Sequence, residues 1–293
     1  MTPNTHPDAW TPPTTPVLAY AACDPEARLG LPSGRFTTPS GTASLLLACL
    51  FMSVLYGAAW LVSTTSGGAV IWRYLTGFSG IPIPIAALSC WTIAILLLKM
   101  LKIGAQRMAL RLRFMPEDPG FTLSSATVSR VIASVEATVD DPARFMLLDR
   151  VLTSLKSIRN LGRPGDIGEV LNASAEGDES AMVSGYTLVG GFIWSVPVLG
   201  FLGTIIGLTE AIGNFGGVLE QKNNKDLDTL AAKLTDVLGG LDTAFVTTGE
   251  GLVAALVLYL FCTAVRRADE QLLDDVRLYC TRHVTARVRI ETT

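Results

Sequence analysis

The chain has 293 residues, of which 49% are hydrophobic and only 17% charged, with a formal net charge of −3. So apolar and weakly acidic a chain is not an ordinary soluble domain, and its charge offers no footing for nucleic acid. The charges are also unevenly spread. Residues 36–72, 74–98 and 181–209 contain no Lys, Arg, Asp or Glu.

The first 40 residues are rich in Pro and Thr and lack the basic start of a secretory signal, so residues 1–41 read as a disordered tail. A helix needs about 20 apolar residues to cross the hydrocarbon core, and each charge-free gap can hold one. A fourth run, Gly251 to Val265, is uncharged and is extended at its N-terminal end by Asp242 to Glu250. The expected spans lie near 42–63, 80–100, 184–212 and 241–265. The fold class is therefore all-α: an integral membrane protein with four transmembrane helices and a helical cytoplasmic insert between the second and third.

Five basic residues, Lys99, Lys102, Arg107, Arg111 and Arg113, follow the second span, and Arg266 and Arg267 follow the fourth. Both ends are then cytoplasmic by the positive-inside rule, and with four spans so is the N-terminus. Loops 64–79 and 213–240 fall outside. The lysines of the second outer loop, Lys222, Lys225 and Lys233, are offset by Glu220, Asp226, Asp228 and Asp236.

The first helix pair occupies 42–102 and the insert 103–183. Within the insert a helix is expected from about Ser124 to Val139. A second, after Asp140 or Asp141 as N-cap, places Leu148, Val151, Leu152, Leu155 and Ile158 on one face and ends at the Gly162-Arg-Pro-Gly165 turn. Residues 184–265 hold the second helix pair. Residues 266–293 form an amphipathic cytoplasmic helix with Leu272, Leu273, Val276, Tyr279 and Val284 on its apolar side.

The cysteines at 23, 49, 90, 262 and 280 form no CxxC, and His6 and His283 sit at opposite ends of the chain. No metal site, disulfide framework or cofactor is expected. An intramembrane enzyme would need a nucleophile–base or metal constellation. The spans contain no His, no Gly-x-Ser-x-Gly and no His-Glu-x-x-His, so the chain does not read as an enzyme.

In the third span Pro197, Gly200, Thr204, Gly207 and Ala211 follow one stripe, and Gly203 and Gly207 form a GxxxG pair. Such stripes let helices approach closely in a membrane, or line a lumen shared by several copies. In the fourth span Ala244, Thr248, Gly251, Ala255 and Leu258 share one face, and Thr243, Thr247, Glu250 and Ala254 another. Thr248 and Glu250 are separated by about 200° and cannot face the same lumen. An acid within a span costs about 2.5–3.5 kcal/mol and by default marks a functional site. Two quieter roles stay open for Glu250: hydration near the outer end, or a hydrogen bond to Thr247 one turn back.

Pro197-Val-Leu-Gly-Phe-Leu-Gly-Thr204-Ile-Ile-Gly207-Leu-Thr-Glu-Ala-Ile, followed some thirty residues later by Leu241-Asp-Thr-Ala-Phe-Val-Thr-Thr248-Gly-Glu-Gly251-Leu-Val-Ala-Ala, resembles the MotA/TolQ/ExbB proton-channel family. The pairing of P-x-x-G-x-x-G-T-x-x-G-L with T-T-x-x-G-L-x-A-A carries the resemblance, which covers roughly residues 184–265. Two spans before the insert are like the flagellar-stator branch, whereas the compact insert and Phe-Leu-Gly-Thr are like the Ton/Tol branch.

The resemblance implies a stator subunit of the bacterial inner membrane, driven by the proton motive force. Several copies, a pentamer in the family, would ring a single-span MotB/ExbD/TolR-like partner whose transmembrane Asp carries the proton. Thr204, Thr248 and Pro197 would line that path, with Gly200, Gly203, Gly207, Gly251 and Ala255 packing the helices. Glu250 departs from the usual apolar residue, so it stands as a candidate proton relay or interface acid with no inherited role. The competing expectation is a non-conducting oligomeric scaffold built on the same small-residue seams.

Overall fold

The computed structural model describes residues 18–112, 125–161, 167–220 and 227–287, and every regular element among them is helical. Four helices are long and apolar enough to cross a membrane. Helix α1 (Gly41–Val62) has 22 residues, or about 33 Å of helix, close to the roughly 30 Å hydrocarbon core. It ends at a turn where the Thr65 hydroxyl accepts from the Gly68 N–H at 3.1 Å and caps α2 (Ser66–Thr76). The outer loop expected at 64–79 is thus mostly helical. Helix α2 folds back on α1, and the Tyr56 hydroxyl of α1 donates to the Leu75 carbonyl at 3.1 Å. Helix α3 (Pro82–Leu110) opens on a proline, whose missing N–H costs nothing in a first turn.

Helices α4 (Ser125–Thr138) and α5 (Met146–Leu161) pack on each other. A 3₁₀ turn at Pro142–Arg144 precedes α5. The expected N-cap is not formed: Asp141 makes no side-chain cap, and the Asp140 carboxylate instead accepts from the Tyr20 N–H at 2.8 Å. The expected turn at Gly162–Gly165 lies outside the described residues.

Helix α6 (Ile167–Glu220) runs for 54 residues and α7 (Leu227–His283) for 57, about 80 and 85 Å at 1.5 Å per residue. They contain the third and fourth spans but begin and end far beyond them. The amphipathic segment expected from residue 266 is therefore a continuation of α7, followed by a 3₁₀ turn at Thr285–Arg287. Nothing between Val265 and Ala268 breaks a helix, so the change from apolar to charged residues alters the surroundings and leaves the backbone helical. The 213–240 connection is likewise helical up to Glu220 and from Leu227.

The chain divides into two units. The apolar unit comprises 41–97 and 186–264. Its core joins Ile81 and Ile85 of the α3 region to Val196 of α6 and Leu258 of α7, flanked by Ala254 and Ala255. Trp91 stacks against Phe192 with ring centres 4.9 Å apart and donates to the Ser44 hydroxyl at 3.4 Å, which ties α3 to α6 and α1.

The polar unit takes the described residues of 1–40, 98–185 and 265–293. Its core contains Val128, Val131 and Val135 of α4, Leu148, Val151 and Leu155 of α5, and Leu272 and Val276 of α7. The disorder expected over 1–41 does not hold for residues 18–40. There, short helices at Tyr20–Cys23 and Pro25–Arg28 carry buried acids. The Glu26 carboxylate, fully buried, accepts from the backbone N–H of Gly34 (3.0 Å) and Ser40 (2.7 Å) and pairs with the Lys102 ammonium at 2.7 Å. Lys102 also lies 3.6 Å from Asp24, which accepts from the Tyr20 and Ser33 hydroxyls. One helical turn earlier, buried Lys99 pairs with buried Asp269 of α7 at 3.5 Å, and the Thr37 hydroxyl donates to the same carboxylate at 3.3 Å.

Removing one member of a buried pair leaves an uncompensated charge, at a cost of about 3–5 kcal/mol. Lys102→Met is therefore expected to lower the unfolding midpoint in guanidinium strongly and to open residues 18–40 to protease. Arg35→Ala breaks an exposed pair with Asp149 (4.0 Å) and should cost less than about 1 kcal/mol. Burial pushes the Asp24 carboxyl upward, but the Ser33 and Tyr20 hydroxyls and the Lys102 ammonium outweigh it and hold it below its ordinary 3.8. A depressed carboxylate contributes stability above its unfolded value and loses it as pH falls through the folded one. The Asp24 contribution should thus be complete above about pH 4 and fade below it, a dependence that Asp24→Asn would remove.

Candidate pore-lining site

Helices α6 and α7 are antiparallel through the apolar unit, and glycines set how closely they lie. A Cβ built on Gly207 would fall 2.7 Å from the Ala244 nitrogen, and one on Gly200 would fall 2.8 Å from the Thr247 carbonyl oxygen. On the facing helix, a Cβ on Gly240 would lie 2.7 Å from the Gly207 carbonyl oxygen, and one on Gly251 would lie 3.1 Å from that of Val196. At Gly203 the added carbon would collide with the Thr247 side chain. This close approach is within one chain; the stripe was expected either to let helices pack closely or to face a lumen or seam shared by several copies. Without a hydrophobic difference between lipid and protein, such contact is a main source of helix association.

This approach brings Thr204 and Thr248 together. Their hydroxyls hydrogen-bond to each other across the seam. Thr204 can also donate to the Ala244 carbonyl at 3.2 Å, and Thr248 to the carbonyls of Gly200 (3.1 Å) and Ala244 (3.0 Å). Both residues are half-buried, as is Pro197, one turn before Gly200. The pair can accept a hydrogen bond from a protonated acid or turn to donate to an ionised one. Neither hydroxyl titrates near neutral pH.

Two seam residues escaped the sequence reading. Thr247, placed there on the other face, is fully buried and donates to the Thr243 carbonyl at 2.8 Å. Adjacent residues are only about 100° apart, so both can flank one contact line. Gly240 lies outside the quoted motifs, but it precedes Ala244 and Thr248 at the same four-residue spacing. Ala255 packs against the Val196–Leu258 core.

Glu250 is half-buried, and its Oε2 has no hydrogen-bond partner among the described residues. The hydrogen bond considered with Thr247 is not made, because that hydroxyl serves the Thr243 and Gly200 carbonyls. The carboxylate lies within electrostatic reach of Tyr56 on α1, and Glu250 is about 200° around the helix from Thr248. Asp242, earlier on α7, pairs with Arg73 of α2 at 3.6 Å. Among the described residues no group of His, Cys, Asp and Glu could hold a metal ion.

A glycine-lined helix pair with a shared hydroxyl contact defines a polytopic membrane protein built to pack or conduct within the bilayer. Residues 146–277, from α5 through most of α7, match the MotA/TolQ/ExbB proton channel family. Proteins of the family are channels and not enzymes. No curated protein and no solved structure matched the chain.

Because Gly207 faces backbone, Gly207→Leu should overpack the seam and destabilise the helix pair by about 1–3 kcal/mol, read as a lower melting temperature in detergent. Gly249→Leu places its side chain where nothing lies within 4 Å and should leave the melting temperature near that of the wild type.

Proposed function

We propose that the chain is the ring-forming subunit of a proton-driven stator in the bacterial inner membrane, converting the proton motive force into motion of a partner protein. The observation that carries this reading is the Thr204–Thr248 hydroxyl pair at the α6–α7 seam of a proton-channel family domain. It supplies hydrogen bonds within the spans but no titrating group, so the proton carrier must come from elsewhere. A single-span MotB/ExbD/TolR-like partner with a transmembrane Asp would supply it. Several copies of this chain, five by analogy with the family, would surround that helix with Thr204, Thr248 and Pro197 lining the path. The apolar faces bearing Phe201 and Ile205 on α6 and Leu252 and Leu256 on α7 are exposed in the single chain and would meet lipid or neighbouring copies. Glu250, off the threonine line, would support a helix interface or a side route for protons.

The polar unit and both termini would be cytoplasmic. Of the flanking basic residues, Arg111, Arg266 and Arg267 are exposed and available to the inner membrane surface. Reporter fusions after Arg113 and Arg267 should register as cytoplasmic, and one near Asn224 as periplasmic. The reverse pattern would overturn the orientation.

The decisive test is proton flux in vesicles containing the chain and its partner. Thr248→Val is nearly isosteric and removes hydrogen bonds worth about 0.5–1.5 kcal/mol each, too little to prevent assembly. It should abolish or strongly reduce flux, and so should Thr204→Val. Thr243→Val should be milder, because that hydroxyl only donates to the Gly239 carbonyl of its own helix at 3.0 Å. Normal flux in both Thr204→Val and Thr248→Val would leave the non-conducting scaffold as the better reading.

A further inference from the structure

The polar unit contains a cavity of about 210 Å³ that the proposed proton path does not use. It lies among α5, α6 and α7, and Arg150, Gly168, Asn172, Arg277, Thr281 and Thr285 line it. Two arginines, an asparagine and two threonines thus share one lining with Leu171 and Cys280, and no carboxylate among the described residues lines it.

Arg150 is 3% exposed. One terminal nitrogen donates to Asp178 at 2.6 Å, while its Nε–H has no acceptor among the described residues. A buried donor without an acceptor is unfavourable, and an anion seated beside this guanidinium would relieve it. Arg277 is exposed and makes no ion pair with any described residue. Gly168 belongs to the first turn of α6, where backbone N–H groups lack intrahelical acceptors and the helix dipole favours negative charge. A Cβ there would meet nothing within 4 Å, so the approach is open. Glu169 in the same turn is exposed and does not line the cavity. A second cavity of about 360 Å³ shares Arg150 and Arg277 but is also lined by Glu179, Glu270 and Asp274, which disfavour an anion there.

The volume lies below the roughly 300–1,000 Å³ of sites for drug-sized ligands, which points to a compact oxyanion. Gly168 precedes the charge-free stretch beginning at residue 181 by 13 positions, about 20 Å of helix. That exceeds the roughly 5–8 Å of headgroup region on one side of a bilayer, so a soluble source is favoured over a lipid.

We propose that this cavity binds a phosphate-class oxyanion from solution, either inorganic phosphate or the phosphoryl end of a small ester. The ligand would join α5, the start of α6 and the end of α7. The site does not depend on the proton-channel reading.

The test uses the full chain in lipid nanodiscs, titrated calorimetrically with inorganic phosphate against chloride at constant ionic strength. One phosphate should bind per chain with a Kd of about 1 mM or below and raise the melting temperature. Arg277→Gln, a change at an exposed side chain, should weaken binding about tenfold, the loss of one charge-assisted hydrogen bond. Thr281→Val should weaken it less. No phosphate-specific heat, or unchanged affinity in Arg277→Gln, would overturn the site. Adding phosphatidylglycerol to the discs should leave phosphate affinity unaltered. Competition by that lipid would overturn the soluble source and assign the phosphoryl group to a headgroup.

Discussion

The near contact of backbone with backbone between α6 and α7 is the constraint on which the apolar unit depends. Gly200, Gly203, Gly207, Gly240 and Gly251 take part at successive levels, and at each an added Cβ would meet the other helix. In lipid an apolar side chain gains little by leaving its surroundings, so helix pairs rely on packing and on polar contacts between them. Glycine gives up conformational economy in a helix, yet here its missing side chain admits the neighbouring backbone. The larger apolar residues, such as Phe201, Ile205, Leu252 and Leu256, are left on the outside.

The polar unit is organised by a different force. Its most buried charges, Lys99, Lys102, Glu26 and Asp269, occupy positions that would ordinarily be solvated. Each ammonium has an acid within 3.6 Å. Buried pairs rarely add stability over an apolar core of the same shape, but losing one partner is costly. Such a network therefore favours one arrangement of residues 18–40, α3 and α7 within the unit over alternatives that strand a charge. Arg150 and Asp178 make a further pair, joining α5 to α6.

The four apolar helices were legible because a missing charge is a local property, readable in any window of twenty residues. Thr204 and Thr248 were singled out by the family resemblance of a short motif on each helix, which is also a local property. The ordered N-terminal segment was not. Asp24 and Glu26 lie some 76 residues before Lys102, and a Pro- and Thr-rich composition shows nothing of a distant cation that makes two acids bury. The full lengths of α6 and α7 were not legible for a related reason: hydropathy marks where the environment changes, whereas these helices continue through that change without a breaker. The partner of the glycine stripe stayed open in the sequence because one helix's stripe cannot say whose backbone fills it. The cavity beside Arg150 gathers residues of three helices that share no sequence motif.

The seam and the hydroxyl pair belong together physically. Thr204 and Thr248 meet only because the neighbouring glycines bring the two backbones close, and the carbonyls of Gly200 and Ala244 that receive their hydroxyls lie on those same approaching turns. A carbonyl oxygen has two lone pairs, so it can serve its own helix and a threonine together. Exchanging such a bond for one to an incoming acid changes little in energy, because one hydrogen bond replaces another. A carboxylate fixed at either threonine position would instead carry the cost of a permanent charge within the span. Hydroxyls make the seam polar without making it charged. Under the proposed function, that would suit the seam to a titrating group brought in by another helix, with Glu250 lying about 200° around α7 from Thr248.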